Sequence, residues 1–594
     1  MEAAPDFLDT VTSYESFLGR GAFGFVLKAK HKDGTYSCIK FIYPTDNDKL
    51  KRQTERETSL TRKLEDYRHI VTVKNSVCKK YLNPVQLEGI FSPCKKIVEA
   101  GWQDTPEKIK QLGWTCIQME LCGENLDSWL RDPETTMTSI FIQAKQVEII
   151  LHLFYGLKFL HEKQIIHRDL KPANVMFASD KYKLPVKIGD FGQSRTAHGH
   201  NDPTLTSSGI GTPAYRAPEV KTGTYSYQSD IFSLGLIIWE VVALIKPEQK
   251  HSLFDRLVND GETELVKEDH PLIGSLAKEL VINSTRKNLE QRHHALGNVG
   301  KIIEKLVQVQ TQEKVLTCRN GEDLELCLPY VTPGSTIILG EGTYQGQFNL
   351  RGDGISIIGK GVDKTQILSS PAFHIFGQDC LISNLSLLVP TSSTDGYSGF
   401  AIHGTRCRLT KINVINANYG IHMHASDIKI DTVKFINNYK WCITMTDTTR
   451  SCTISDVTCE NIQDGIHVDG TNHHLQKIRV SFSPNKRYNA LYGIYFEGDN
   501  HTLEDFTCTG NTNNSRWDLY ILSSSTTVKN STCYNVLVDG DGARLNNVES
   551  RNLIGINGDL QNVQLVKCKS KNLEASGAVT MTGCTFDSVN KPSK

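Results

Sequence analysis

The chain has 594 residues, 39% of them hydrophobic and 22% charged, the composition of a globular protein with room for two to four domains. Lys plus Arg and Asp plus Glu both number 66, so formal net charge is zero, and no general excess of positive charge is available to hold nucleic acid or an anionic membrane. No secretory signal is read in MEAAPDFLDT, no membrane span is expected, and the 16 scattered Cys, with no CxxC pair of metal spacing, fit reduced thiols in a cytoplasmic protein.

The first informative element is Leu18-Gly19-Arg20-Gly21-Ala22-Phe23-Gly24-Phe25-Val26, which follows GxGxxGxV. Glycines let a hairpin fold closely enough over a triphosphate for backbone N–H groups to reach it. The same pattern also suits a plain Gly-rich hairpin. Ser37-Cys38-Ile39-Lys40 then sets Lys40 on the next strand, placed to hold the α and β phosphates of ATP. Thr54 to Leu64 reads as a helix whose Glu57, in preference to Glu55, pairs with Lys40.

Gln143 to Leu160 repeats apolar residues at helical spacing. His167-Arg168-Asp169-Leu170-Lys171-Pro172-Ala173-Asn174 is far more specific. Asp169 is suited to accept a hydrogen bond from a substrate hydroxyl, Lys171 to neutralise a phosphoryl group in transfer, and Asn174 to give Mg²⁺ a neutral oxygen. Asp190-Phe191-Gly192 adds the anionic Mg²⁺ ligand, Asp190. Between Asp190 and Glu219 lie Thr204, Thr206, Ser207 and Ser208, candidates for phosphorylation that would order this segment against Arg168. Phosphorylation between two copies of the chain implies a homodimer.

Gly211-Thr212-Pro213 and Ala217-Pro218-Glu219 close that segment. Glu219 needs a buried cation, and Arg292 is the expected partner. Ile231 to Ile245, the longest apolar run, contains Glu240 and reads as a central buried helix; Gly297 to Val309 reads as a closing helix.

From about Val315 the texture changes to short β-rich runs between Asn, Gly, Asp, Ser and Thr. Gly420-Ile421-His422, Cys442-Ile443-Thr444, Gly465-Ile466-His467 and Gly493-Ile494-Tyr495 recur at gaps of 22, 23 and 28 residues. One turn of a parallel β-helix needs about that many residues, with Ile, Val, Leu and Cys filling the interior. Asn437-Asn438 and Asn511 to Asn514 suit left-handed corners. His403, His422 and His467 are expected at similar repeat positions, as a stacked ladder.

The motifs from Leu18 to Arg292 together resemble the eukaryotic protein kinase family. The resemblance covers residues 14–308 and implies a bilobal α+β fold, ATP and Mg²⁺ as cofactors, and a protein substrate. Lys171 after Asp169 is similar to the serine/threonine branch. Ile117-Gln118-Met119-Glu120-Leu121-Cys122 and Glu124 to Leu130, with Ser229-Asp230-Ile231 to Leu236, resemble the kinases that phosphorylate the α subunit of translation initiation factor two. On that resemblance Met119 is the gatekeeper, and Glu120 and Cys122 line the adenine. Gln193 stands where Leu is commoner, and the large insert of several group members is reduced to about Cys78 to Gly113.

After a linker at 309–314, residues 315–594 resemble the pectin-lyase-like superfamily of right-handed parallel β-helices. Val331 to Tyr344 is similar to its opening turn. A glycoside hydrolase needs two carboxylates across the scissile bond; Asp464, His467 and Asp469 are the nearest approach. The expected role is structural or binding, toward a carbohydrate or protein ligand. The whole chain is thus expected to be multidomain, a serine/threonine kinase followed by an all-β solenoid. The alternative is a glycan- or protein-binding solenoid with a weak, regulatory kinase domain.

Overall fold

The computed structural model describes residues 7–21, 24–42, 58, 64, 66–92, 113–135, 140–196, 212–222, 225–289, 291–292, 305, 314–369, 372–389, 398–482, 492–510, 516–558, 560–576 and 578–590. The chain divides into two units, Met1–Val309 and Gln310–Lys594.

In the first unit, β1 (Val11–Gly21), β2 (Gly24–His31), β3 (Tyr36–Ile42), β4 (Val73–Lys80) and β5 (Trp114–Met119) form one antiparallel sheet in the order β1-β2-β3-β5-β4. Apolar residues recur at every second position, so one face is dry. Phe25, Leu27, Ile39, Phe41, Trp114 and Cys116 form its core. Phe25 stacks on Phe41 with centroids 5.4 Å apart, and both rings meet Trp114 edge-on.

The rest of this unit is mainly helical. Ile140–Glu162 buries Val147, Ile150, Leu151, Phe154, Leu157 and Leu160, the residues its spacing singled out. By length and composition it could cross a membrane, but most of it is buried within the unit. Tyr227–Ala243 is buried along nearly its whole length. Short antiparallel pairs join β6 (Ile165–Ile166) to β9 (Arg195–Thr196), and β7 (Val175–Ser179) to β8 (Lys183–Ile188).

The cation expected beside Glu219 is present. Arg292, wholly buried, donates from Nη1 and Nη2 to the two carboxylate oxygens at 2.9 and 2.6 Å. Its guanidinium also lies 5.2 Å from the Phe232 ring. The helices expected over Thr54 to Leu64 and Gly297 to Val309 fall largely outside the described residues.

Among its described residues the second unit is a parallel β-solenoid of 26 strands in a single continuous sheet order. Ile421, Ile443, Ile466 and Ile494 lie in register on successive turns, so the repeat read in the sequence is the repeat of the fold. Corners are built alike from turn to turn. Asn384, Lys411, Thr432, Asp456, Lys477, Asp505 and Asn530 follow residues that are in register, and all have φ between 49° and 57°. Left-handed backbone at a non-glycine residue costs roughly 1 kcal/mol, and the paired strands on either side hold it in place. Asn437 takes this conformation too; Asn511 to Asn514 lie outside the described residues. The solenoid starts earlier than the turn at Val331 to Tyr344, because Val315–Cys318 already pairs in parallel with Thr336–Leu339.

Candidate active site

The loop from His167 to Asn174 is fixed from below by one buried carboxylate. Asp230, at the start of helix Tyr227–Ala243, accepts from the backbone N–H of His167 at 2.8 Å and of Arg168 at 2.9 Å, and His161 Nε2 lies 3.1 Å away. Burial pushes the Asp230 pKa up, but the hydrogen bonds from His161 and the Arg168 amide outweigh it and the net shift is downward. Arg168 itself has φ 72°, a conformation that persists only where surrounding bonds impose it.

With the loop pinned, Asp169 is held from three sides. Lys171 Nζ donates to its Oδ2 at 2.8 Å. Thr212 donates to its Oδ1 from the backbone N–H at 2.8 Å and from the hydroxyl at 3.0 Å. Lys171 Nζ also donates to the Thr212 hydroxyl at 2.8 Å, so the three residues close a ring of hydrogen bonds. Asn174 Nδ2 donates to the Asp169 carbonyl at 2.8 Å and to Oδ2 at 3.2 Å. This commits its amide nitrogen and leaves the amide oxygen as the pole available to a cation. A small cleft, partly open to solvent, lies beside Asp169 and is lined by Arg168, Thr212, Tyr215, Arg216, Tyr225 and the buried Asp230.

Asp190 faces this loop from the end of β8. His167 Nε2 lies 2.9 Å from the Gly189 carbonyl and its ring meets Phe191 edge-on. Asp190 has φ 56°. Lys40 Nζ donates to Asp190 Oδ1 at 2.9 Å, joining residues 150 apart in the chain. The Lys40 ammonium holds the Asp190 carboxyl down at about 2, ionised at any ordinary pH. An ionised oxygen from Asp190 and a neutral one from Asn174 form the sparse, hard donor set that suits Mg²⁺.

Across the sheet, β1 and β2 pair antiparallel, with Arg20 opposite Phe25 and Gly21 opposite Gly24. Gly24 is required there, since a Cβ would sit 2.0 Å from the Phe41 carbonyl oxygen. The Phe25 side chain points into the core, so its part in any nucleotide contact is limited to backbone. Val26 pairs with Lys40 in register, and Met119 with Cys38.

The Glu120 carboxylate is engaged outside the β1–β2 pair. It accepts from Lys187 Nζ at 2.7 and 2.8 Å and from the Thr72 N–H at 2.6 Å, while the Glu120 backbone carbonyl accepts from Cys38 Sγ at 3.1 Å. Burial raises the thiols of Cys38 and Cys122 to about 12. Glu57, Ala22, Phe23, Thr204, Thr206, Ser207 and Ser208 lie outside the described residues.

Two residues that organise the loop escaped the sequence reading of roles. In the sequence Thr212 stands only within a closing motif, and Asp230 only within the run from Ser229 that resembles the initiation-factor kinases. A polar Asp at the head of an otherwise apolar run is a signal that could have marked Asp230, since a buried carboxylate requires donors.

In the solenoid the expected ladder of His403, His422 and His467 is not one column. His422 and His467 share a column with Thr444 between them, whereas His403 lies two residues beyond Ala401, the partner of His422. His403 stacks instead on His374 and His424.

Comparison with known proteins agrees with this geometry. The family described as protein kinase domain matches residues 12–309, half of the chain. The chain is similar to the interferon-induced, double-stranded RNA-activated protein kinase of Rattus norvegicus, 31% identical over 249 residues, which are 41% of this chain and 43% of that protein. It is also similar to eukaryotic translation initiation factor 2-alpha kinase 3 of Bos taurus, 36% identical over 142 residues, or 21% of this chain and 12% of that protein. A third relative is serine/threonine-protein kinase Nek4 of Mus musculus, 30% identical over 234 residues, 39% of this chain and 25% of that protein. The matched region thus spans less than half the length of each of these relatives. With the family matched across half the chain and its motifs gathered around Asp169, this chain belongs to the protein kinase family.

Proposed function

We propose that residues 14–308 transfer the γ-phosphoryl group of ATP to a serine or threonine hydroxyl of a protein substrate, and that residues 315–594, after a linker at 309–314, bind a partner. The observation that carries the reading is the ring formed by Asp169, Lys171 and Thr212. In it a carboxylate is oriented beside a cleft and a cation stands next to it.

In the proposed mechanism Asp169 accepts the hydrogen bond of the substrate hydroxyl and aims its oxygen at the phosphoryl group. Lys171 offsets the negative charge that develops there. Lys40 holds the phosphates, supported by Glu57, and the hairpin from Leu18 to Val26 covers them with backbone N–H groups. Met119, Glu120 and Cys122 border the adenine, Glu120 through its backbone. Asn174 and Asp190 would hold Mg²⁺, which when bound supplies positive charge to the phosphate oxygens.

The serine/threonine reading rests on Lys171 and on the serine/threonine-protein kinase among the relatives. The α subunit of translation initiation factor two is the first substrate to try, in view of the relative whose name contains that factor. Phosphorylation at Thr204, Thr206, Ser207 or Ser208 between two copies is the proposed route of activation. A cytoplasmic location accords with the free thiols of the described cysteines.

The test is transfer from γ-labelled ATP by the full chain to a mixed protein substrate and to that α subunit, followed by phosphoamino-acid analysis. Label on serine or threonine is expected. Label on tyrosine alone, or none with Mg²⁺ and ATP in excess, would remove the proposal.

A further inference from the structure

One face of the solenoid differs from its neighbour in a way that interior packing does not require. Tyr419–Met423, Trp441–Met445, Asp464–Val468, Tyr492–Phe496 and Trp517–Ile521 share one burial pattern, with only the first and fourth residues partly exposed. Of those ten positions, eight carry an aromatic or imidazole ring and none carries Lys or Arg. The adjacent strands Lys429–Ile436, Thr453–Ile462 and His474–Phe482 have an ordinary solvated face with both signs of charge, where Lys434 pairs with Glu460 at 2.8 Å and Arg479 with Asp456 at 3.4 Å. Water alone would favour the second composition on both faces.

Five of these rings, Trp441, His467, Tyr492, Tyr495 and Tyr520, form one cluster. Trp441 lies 5.3 Å from His467, and Tyr495 lies 5.1 Å from His467, 4.9 Å from Tyr492 and 5.1 Å from Tyr520. Carboxylates are fastened to it. Glu497 receives the Tyr495 hydroxyl at 2.8 Å and has His467 Nε2 at 3.0 Å; Asp539 receives the Tyr520 hydroxyl at 3.0 Å. The Tyr495 and Tyr520 hydroxyls each donate to a carboxylate, so the face presents negative oxygens and π-electron density together. Both attract cations and repel phosphate, sulfate or uronate. The chain's own cations show the preference on this sheet, with Lys440 Nζ 5.1 Å from the Tyr419 centroid and Arg351 5.3 Å from that of Phe376.

We propose that this face docks a basic, Arg- or Lys-rich segment of a partner protein, with Trp441, Tyr492, Tyr495 and Tyr520 receiving its cationic side chains and Glu497 and Asp539 pairing with them. The size fits a segment and not a domain. Five strands about 4.8 Å apart and some 16 Å long span roughly 400 Å², half of the ~800 Å² each partner gives to a stable domain interface. The proposal deepens the reading of the solenoid as a partner-binding unit, and its test reads binding alone, so its failure leaves the kinase assignment standing.

The experiment is fluorescence anisotropy of the full chain with a short labelled peptide of alternating Gly and Arg. The same peptide with citrulline for arginine serves as the uncharged match, and cellohexaose as a neutral saccharide. Glu497→Gln with Asp539→Asn, nearly isosteric, should weaken the arginine peptide about tenfold. Asp456→Asn with Glu460→Gln, the same charge change on the neighbouring face, should move it by less than about twofold. The citrulline peptide should bind at least about tenfold more weakly than the arginine one. Equal binding of the two peptides, or equal loss from the two double variants, overturns the proposal. So does binding of cellohexaose, lost on Trp441→Ala, without binding of the arginine peptide; that result assigns the face to a saccharide.

Discussion

The two units place their working residues by opposite means. Around Asp169 the partners come from distant parts of the chain: Arg168 meets Asp230 across 62 residues and Lys40 meets Asp190 across 150. In the solenoid each residue meets its counterpart one turn later, as Asn472 meets Asn500 across 28 residues and Asn530 meets Asn547 across 17. The first arrangement concentrates many donors on one carboxylate. The second repeats a modest contact many times and spreads its consequences along the stack. A single substitution should therefore be severe in the first unit and mild in the second.

The largest expected effect is Asp169→Asn, which keeps the hydrogen-bonding size of the group and removes its charge. Phosphoryl transfer should fall by roughly 10³, with nucleotide affinity kept and the solenoid's thermal transition unmoved. A wild-type rate in a γ-labelled ATP assay would break the comparison at its centre.

Next is Arg292→Met. It leaves the Glu219 carboxylate buried without its bidentate partner, a loss of about 3–5 kcal/mol. Calorimetry should show one transition falling and the other staying in place. If both fall together, the units are not energetically separate.

Acid sharpens the contrast further. His69 and His152, stacked with centroids 4.4 Å apart, are lowered to about 4 and about 3 by burial, and His270 to about 4 for the same reason. Each is neutral when folded and takes up a proton below its ordinary value of about 6.5 once unfolded. Their contribution is therefore intact above pH 6.5 and is lost as pH falls from there toward 4, at about 1.4 kcal/mol for each pH step and each imidazole. Among the described residues of the solenoid only His473 is lowered as far, to about 4 by burial, with His501 stacked on it at 5.2 Å; burial also lowers His501, His374, His403 and His422 there, and His31 in the first unit. Denaturant titrations at pH 7 and pH 5 should show the first unit losing more stability. Equal loss in the two units would count against this ordering.

Thr212→Val removes one of the two bonds from Thr212 to Asp169 and the acceptor for Lys171, while the backbone N–H remains. A fall of about tenfold in kcat with little change in the KM for ATP is expected. The smallest effect belongs to the solenoid corner. Lys411→Gly at φ 54° should shift stability by less than about 1 kcal/mol, because relief of left-handed strain is offset by glycine's greater entropy when unfolded. A large destabilisation there would mean that the Lys411 side chain, and not the shared corner geometry, holds the turn.

By itself the sequence determined the motif residues and the period. Asp169, Lys171, Asn174 and Asp190 were legible because phosphoryl chemistry needs those groups at short, fixed spacings in one loop. The solenoid was legible because parallel stacking makes register repeat in the chain, at gaps of 22, 23 and 28 residues. Glu219 and Arg292 could be matched because a buried charge must find its opposite.

What only the tertiary structure decided depends on where the chain returns in space. Thr212 closes the ring on Asp169 from 43 residues away, and Asp230 reaches the loop amides from another helix. Phe25 sits in a nucleotide-binding motif, yet the alternation of a strand turns its ring into the core. The Glu497 cluster is invisible along the chain, because Trp441, His467 and Tyr495 become neighbours only once each turn has closed. Spacing within one element is fixed by backbone geometry and can be read from residues. Contact between elements is fixed by how their apolar faces pack, and that is settled only when the core forms.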